Sequence, residues 1–137
     1  MQINKVFSVF CIGILIVFGA CKRETKDERF KREYEQYTQK ECPKEVSLYT
    51  RLDSVCYSIE NRTLTEYYTV WDVLEDKSFY TEETTEALHN DILKELKGSI
   101  RMKPYKDEGI TFCYDYRSQT SGERVIKLTY TPEDYGK

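Results

Sequence analysis

The chain has 137 residues, with 24 acidic and 21 basic side chains and a net charge of −3. This length suits a single domain, and the acidic balance argues against a nucleic acid partner, because a phosphate backbone is bound by a basic face. Five cysteines and one histidine are present, but they lack the spacing of a zinc site. We therefore expect neither a metal nor a cofactor.

The most apolar segment of the chain lies at its N-terminus. Lys5 precedes an apolar run from Val6 to Phe18, which is shorter than the roughly 20 residues needed to cross a bilayer. A basic residue, a short apolar run and small residues in that order predict a secretory signal peptide over residues 1–20. An uncleaved signal anchor and an ordinary secreted protein are the alternatives.

The end of this signal carries Gly19, Ala20 and Cys21, which resemble the lipobox of bacterial lipoproteins, although Phe18 stands where that family usually has leucine. The resemblance implies that cleavage leaves Cys21 as the first residue and that Cys21 carries fatty acyl chains such as palmitate. Several acyl chains together bind a membrane stably. We expect a lipid-anchored protein of the bacterial cell envelope, at the outer membrane. Residues 26–28, Lys-Asp-Glu, are similar to signals that export some lipoproteins to the cell surface.

Residues 21–43 are interpreted as the lipidated cysteine and a charged tether. Six bases and four acids occupy residues 22–33. Phe30, Tyr34 and Tyr37 are nevertheless spaced as one side of a helix. The tether is therefore either a helix that packs on the domain or a linker with transient helix, and residues 44–137 are expected to form a single domain.

Two segments of this domain alternate with period two and are rich in β-branched and aromatic residues, which predicts strands. The first predicts a hairpin with strands at about 48–59 and 62–73, joined by a polar turn. The second predicts a hairpin within 110–131, joined by the loop Ser118 to Gly122. In each hairpin one face is apolar and the other is polar, which is typical of antiparallel sheets.

Between the hairpins the apolar period changes to that of a helix. Thr81 is the expected N-cap, Glu82 and Glu83 would complement the helix dipole, and Gly98 marks the end. The order hairpin, helix, hairpin predicts an α+β fold of the type ββαββ: a four-stranded antiparallel sheet with the helix on one face. This plan is similar to small α+β lipoproteins of bacterial envelopes and to cystatin-like folds, and the resemblance implies no catalytic residue.

The cysteines beyond the signal and the anchor are Cys42, Cys56 and Cys113. With three thiols, at most one pair can form within the chain. The strand alternation places Cys56 and Cys113 on the same face of the sheet. They are a candidate disulfide if their strands are neighbours, and otherwise they are reduced thiols.

The chain has no sequence motif of a serine hydrolase, a phosphate-binding loop or a zinc protease. It has 12 tyrosines, more than so small a domain is expected to bury, and exposed aromatic side chains suit contact with a protein or glycan. Strands enrich such residues anyway, and acids near a helix start also serve its dipole. The candidate binding surface combines aromatic and acidic side chains: Tyr57, Tyr67, Trp71, Asp76, Glu82 and Glu83.

We therefore expect a non-catalytic envelope module that binds a protein, a peptide or a glycan. The alternative is a small envelope hydrolase that uses carboxylates such as Asp115 together with tyrosine side chains. Two carboxylates about 5–10 Å apart in a deep cleft would favour the hydrolase. A flat aromatic face of the sheet would favour binding.

Overall fold

The computed structural model describes residues 22–137, so the predicted signal peptide and Cys21 lie outside the described residues. Among residues 22–137, no helix is both long and apolar enough to span a membrane. Two short 3-10 turns, Asp72–Glu75 and Lys77–Phe79, precede the second helix. The helices and strands in chain order are α1 (Lys26–Glu41), β1 (Lys44–Ser47), β2 (Thr50–Ser58), β3 (Thr63–Val70), α2 (Glu82–Gly98), α3 (Lys103–Asp107), β4 (Thr111–Ser118) and β5 (Arg124–Tyr130).

The strands form one sheet in the order β1-β2-β3-β4-β5. Both predicted hairpins are confirmed, as the antiparallel pairs β2–β3 and β4–β5. The prediction of a four-stranded antiparallel sheet is wrong in two respects. Strand β1 adds a fifth strand beside β2, and β3 pairs with β4 in parallel. A parallel pair needs a long crossover, which α2 and α3 supply.

Helix α1 packs on the sheet, which is one of the two alternatives that the sequence left open for the charged segment, and it is not a linker. Phe30 and Tyr34 are buried in the same core as β2. The Thr38 hydroxyl donates to the carbonyl of Val55 at 2.9 Å and accepts from the N–H of Val55 at 2.8 Å. The aromatic spacing marked this buried side correctly, and the many charges of α1 lie on its solvent side.

Both long helices begin at a capping threonine. The Thr25 hydroxyl accepts from the N–H of Glu28, whose carboxylate accepts in turn from the N–H of Thr25. The predicted cap of α2 is confirmed, since the Thr81 hydroxyl accepts from the N–H of Thr84. Such caps satisfy N–H groups that have no partner within the helix.

The three helices share one hydrophobic core with the same face of the sheet, which we call the inner face. Most of the strand side chains in this core come from alternate positions, as the pleat of a sheet requires, and a register shift between Leu52 and Ser54 interrupts the alternation on β2. The buried members of the core are Phe30, Tyr34, Leu52, Val55, Tyr57, Leu64, Leu96, Met102, Ile110, Phe112, Leu128, Tyr130 and Tyr135.

The opposite, outer face of the sheet carries Cys56 and Cys113, and here the candidate disulfide is wrong. Both thiols lie on one face as predicted, but Thr65 of β3 lies between them in the strand register. Neighbouring strands are about 4.8 Å apart, so the two α-carbons are separated by about 10 Å, beyond the roughly 7 Å limit for a disulfide. Cys42, Cys56 and Cys113 are all free thiols.

Candidate functional site

Three cavities lie on the inner face of the sheet, with volumes of about 400, 190 and 650 Å³. Tyr68 of β3 lines all three cavities. Glu66 is shared by the first and second, and Tyr116 of β4 by the second and third. The three cavities therefore adjoin one another along the inner face, and we call them together the inner groove.

The inner groove runs from α1 to α2 across the middle of the sheet. Its first cavity lies between Tyr34 and Tyr37 of α1 and the strands β1 to β3. The second lies under the C-terminal half of α2, beside Ile92. The third lies under the N-terminal half of α2, beside Thr84 and Leu88.

The groove stays open because α2 buries little of its apolar side. Leu96 is the only fully buried residue of α2, whereas Leu88 and Ile92 are half-buried. Below α2 the sheet presents large rings, since Tyr68 and Tyr116 stack with their centroids 4.7 Å apart and their planes 11° apart. The stacked tyrosines therefore form the floor of the groove.

Glu66 places a carboxylate in an otherwise uncharged row of the inner face. Its partners in the register are Val55 on β2 and Tyr114 on β4. The Tyr68 hydroxyl donates to Oε2 of Glu66, and within residues 22–137 no other hydrogen bond or ion pair involves this carboxylate. Burial raises the pKa of Glu66 above its ordinary value, and the hydrogen bond from Tyr68 and the charge of Arg101 only partly offset this.

The wall of the groove carries more negative than positive charge. Its carboxylates are Glu33, Glu66, Asp91 and Glu95, and its cations are Lys44 and Arg101. In the part of the chain that the structure describes, Glu66, Asp91 and Glu95 form no ion pair within 4.0 Å. These three carboxylates are therefore available to a ligand.

Two apolar side chains are exposed where the groove meets solvent. Val46 of β1 is 45% exposed and Phe79 is 46% exposed. Val46 lines the first and third cavities, and Phe79 lines the third. We call these two side chains the rim of the groove.

The structure places the six residues of the predicted binding surface outside the inner groove. Tyr57 is wrong as a surface residue, because it is 5% exposed and its ring meets Phe30 edge-on at 5.8 Å. Its hydroxyl donates to Asp27 at 2.6 Å. Tyr67 is half-buried on the outer face, and Trp71 is half-buried just beyond β3.

The acidic members of that predicted surface are exposed and lie near the start of α2. Asp76 accepts a hydrogen bond from the N–H of Ser78 at 2.8 Å. Glu82 and Glu83 occupy the first turn of α2, where negative charge complements the helix dipole. Within residues 22–137, no group of three or more His, Cys, Asp or Glu side chains is arranged to hold a metal ion.

Asp115, the carboxylate considered for a hydrolase, is only 2% exposed on the outer face. Arg124 binds it through two hydrogen bonds of 3.1 and 2.8 Å, and Arg117 adds one of 3.3 Å. Burial acts to raise the pKa of Asp115, but the bonds and charges of the two guanidinium groups outweigh it and lower the pKa. The carboxylate is therefore ionised and occupied by structural partners.

Comparison with protein families gives one match to most of the chain. The model of a domain of unknown function, DUF8479, matches residues 25–126. The match begins at the cap of α1 and extends into β5, so it includes α1 in the domain. No curated protein sequence matches the chain.

The fold is similar to that of several solved structures. One is a Pseudomonas aeruginosa protein described as secreted, with a TM-score of 0.63 and 8% identity over 80% of this chain and 95% of that chain. Another is a pilotin of the Vibrio vulnificus type II secretion system, with a TM-score of 0.54 and 11% identity over 81% and 96% of the two chains. A third is a type II secretion pilotin of Vibrio cholerae, with a TM-score of 0.56 and 12% identity over 79% and 90%.

Proposed function

The chain belongs to the DUF8479 family of domains of unknown function, and we propose that it is a non-catalytic binding module of the bacterial cell envelope. Its inner groove holds a segment of a partner protein. The observation that carries this proposal is the inner groove, which comprises three adjoining cavities along the inner face and is bordered by the exposed side chains of Val46 and Phe79. A long groove with an apolar rim suits a polypeptide segment better than a compact small ligand.

The composition of the groove suits a polypeptide segment. Apolar side chains such as Leu52, Ile92 and Val46 line it together with the tyrosine floor, and an amphipathic segment buries its own apolar side chains against such walls. The similarity in fold to type II secretion pilotins supports a protein partner in the envelope.

The anchor completes the proposal. Lipidation of Cys21 would place the domain close to a membrane, because only residues 22–25 separate this cysteine from α1. At about 3.5 Å per residue, the chain from Cys21 to Lys26 reaches at most about 18 Å. Partners at the membrane surface would then lie within reach of the domain. Intact-mass spectrometry of the native protein tests this point, and an unmodified Cys21 thiol would contradict it.

Photo-crosslinking in the native cell tests the binding function. A photoreactive phenylalanine analogue is placed in the full chain at Val46 or Phe79, on the groove rim, and as a control at Lys127 or Thr129, which are exposed on β5 away from the groove. We expect a discrete crosslinked protein from the rim positions only. Equal crosslinking from both faces, or none from the rim, would refute a binding role for the groove.

A further inference from the structure

Glu66 occupies an unusual place for a carboxylate. It lies on the inner face between Val55 and Tyr114, with the Tyr68 hydroxyl as its hydrogen-bond donor. Oε1 accepts no hydrogen bond from the described residues. Every fully buried side-chain oxygen of residues 22–137 has a hydrogen-bond partner, so Oε1 is not fully buried. Oε1 is therefore open to the groove. A carboxylate that is removed from bulk water is costly unless a cation pairs with it.

The rings around this carboxylate also favour a cation. Tyr68 and Tyr116 stack beside Glu66, and Tyr114 is its register partner on β4. The face of an aromatic ring attracts ammonium and guanidinium groups, most strongly where water is excluded. A positive group that enters the second cavity would thus meet a carboxylate and tyrosine rings together.

The acidic side chains of the surrounding wall also favour a cation. Glu95 of α2 lines the second and third cavities, and Asp91 lines the third. Within residues 22–137, the nearby cations Lys44 and Arg101 form no ion pair within 4.0 Å with Glu66. Arg101 and Lys44 therefore act on Glu66 only through longer-range charge, and neither is in direct contact with its carboxylate.

We propose that Glu66 is the specificity-determining residue of the inner groove and that it binds an arginine or lysine side chain of the partner segment. This inference rests on the proposed function, because it assigns the chemistry of a partner that the groove is proposed to hold. The cation lies against Tyr68 and Tyr116 and donates to Oε1, while Tyr68 continues to hold Oε2. The apolar side chains of the same partner segment cover the rim.

A fragment experiment tests the cation site without knowledge of the partner. The full chain in detergent is titrated with n-butylguanidinium, and with n-butanol as the neutral analogue, while backbone amide resonances are followed by NMR. We expect n-butylguanidinium to shift resonances of Glu66, Tyr68 and Tyr116. Because a charge-assisted hydrogen bond is lost, Glu66→Gln should weaken this binding about tenfold. Equal binding by wild type and Glu66→Gln would overturn the proposal.

The matched control is Glu86→Gln, which removes a carboxylate of α2 that is exposed and lines none of the three cavities. It should bind n-butylguanidinium as wild type does. Butanol should bind weakly and equally to all three proteins. A similar loss in both variants would show that the effect is one of overall charge and would overturn the assignment to Glu66.

Photo-crosslinking from Val46 then separates the two proposals. We expect Glu66→Gln to lower the yield of the crosslinked partner about tenfold and Glu86→Gln to leave it unchanged. If wild type captures no partner from the rim, the proposed function fails. If Glu66→Gln captures it as well as wild type does, the function stands and the assignment of Glu66 fails. A third outcome is possible: n-butylguanidinium binding depends on Glu66, but Glu66→Gln captures the partner as well as wild type does. This outcome would show that Glu66 binds a free cation and would overturn the assignment of a partner side chain to Glu66.

Discussion

Replacing Phe30 by alanine tests whether α1 is part of the folded domain. The Phe30 side chain is 1% exposed, and its ring lies 4.6 Å from that of Tyr105 and 5.8 Å from that of Tyr57, between centroids. Full burial of such a side chain contributes about 1.5–3 kcal/mol, and each aromatic contact adds about 0.5–1.5 kcal/mol. We therefore expect Phe30→Ala to lower the free energy of unfolding by about 4 kcal/mol, within the range for Phe→Ala in cores.

Urea unfolding followed by circular dichroism measures this loss. The control is Lys31→Ala on the same helix, whose exposed side chain lies 3.9 Å from the carboxylate of Glu35 and should contribute about 0.5 kcal/mol or less. If Phe30→Ala does not fold, Phe30→Leu should still unfold at a lower urea concentration than Lys31→Ala. Equal stability of the Phe30 and Lys31 variants would refute the packing of α1 on the sheet and would favour the interpretation of this segment as a linker.

Three further predictions concern single side chains. Burial raises the pKa of Glu66 in the folded state, so the contribution of Glu66 to stability falls as the pH rises through that pKa. Glu66→Gln should therefore be more stable than wild type at pH 7. The urea midpoints of the two proteins should converge below about pH 4, where Glu66 is protonated in both the folded and the unfolded state. The pKa of Asp115 is lowered, so Asp115→Asn should cost about 2 kcal/mol at pH 7, and the difference should shrink as acid protonates wild-type Asp115. In native protein N-ethylmaleimide should modify the exposed Cys56 and spare the buried Cys113, and mass spectrometry that finds the two bridged would contradict the sheet order.

The sequence predicted those parts of the fold that are encoded by neighbouring residues. The hairpin β2–β3 and the helix α2 each follow from a local period with a turn or a cap at its end. The parallel pairing of β3 with β4 joins residues about 48 positions apart, such as Thr63 and Thr111, and no local period encodes it. Strand β1 spans only Lys44–Ser47, which is too short to show an alternation of its own.

The site was missed for a different reason. Aromatic residues were assigned to the surface because of their number, although the same alternation that buries Val55 also turns Tyr57 inward. The same alternation along β3 places Glu66 and Tyr68 on the inner face, together with the buried Leu64. An acid at an inward position of a strand was therefore visible in the sequence, and it is the signal that would have found the groove.

Two features that reduce stability meet at the inner groove. The apolar side of α2 is only partly buried, with Ile92 half-exposed above the cavity, and Glu66 keeps a carboxylate on the face that forms the core. A leucine at residue 66 and a closer α2 would remove both costs within the same fold. Local departures from the rules of stable packing are expected at functional sites. Because both departures face the same cavity, a ligand that covers the apolar wall and pairs with Glu66 would compensate them together.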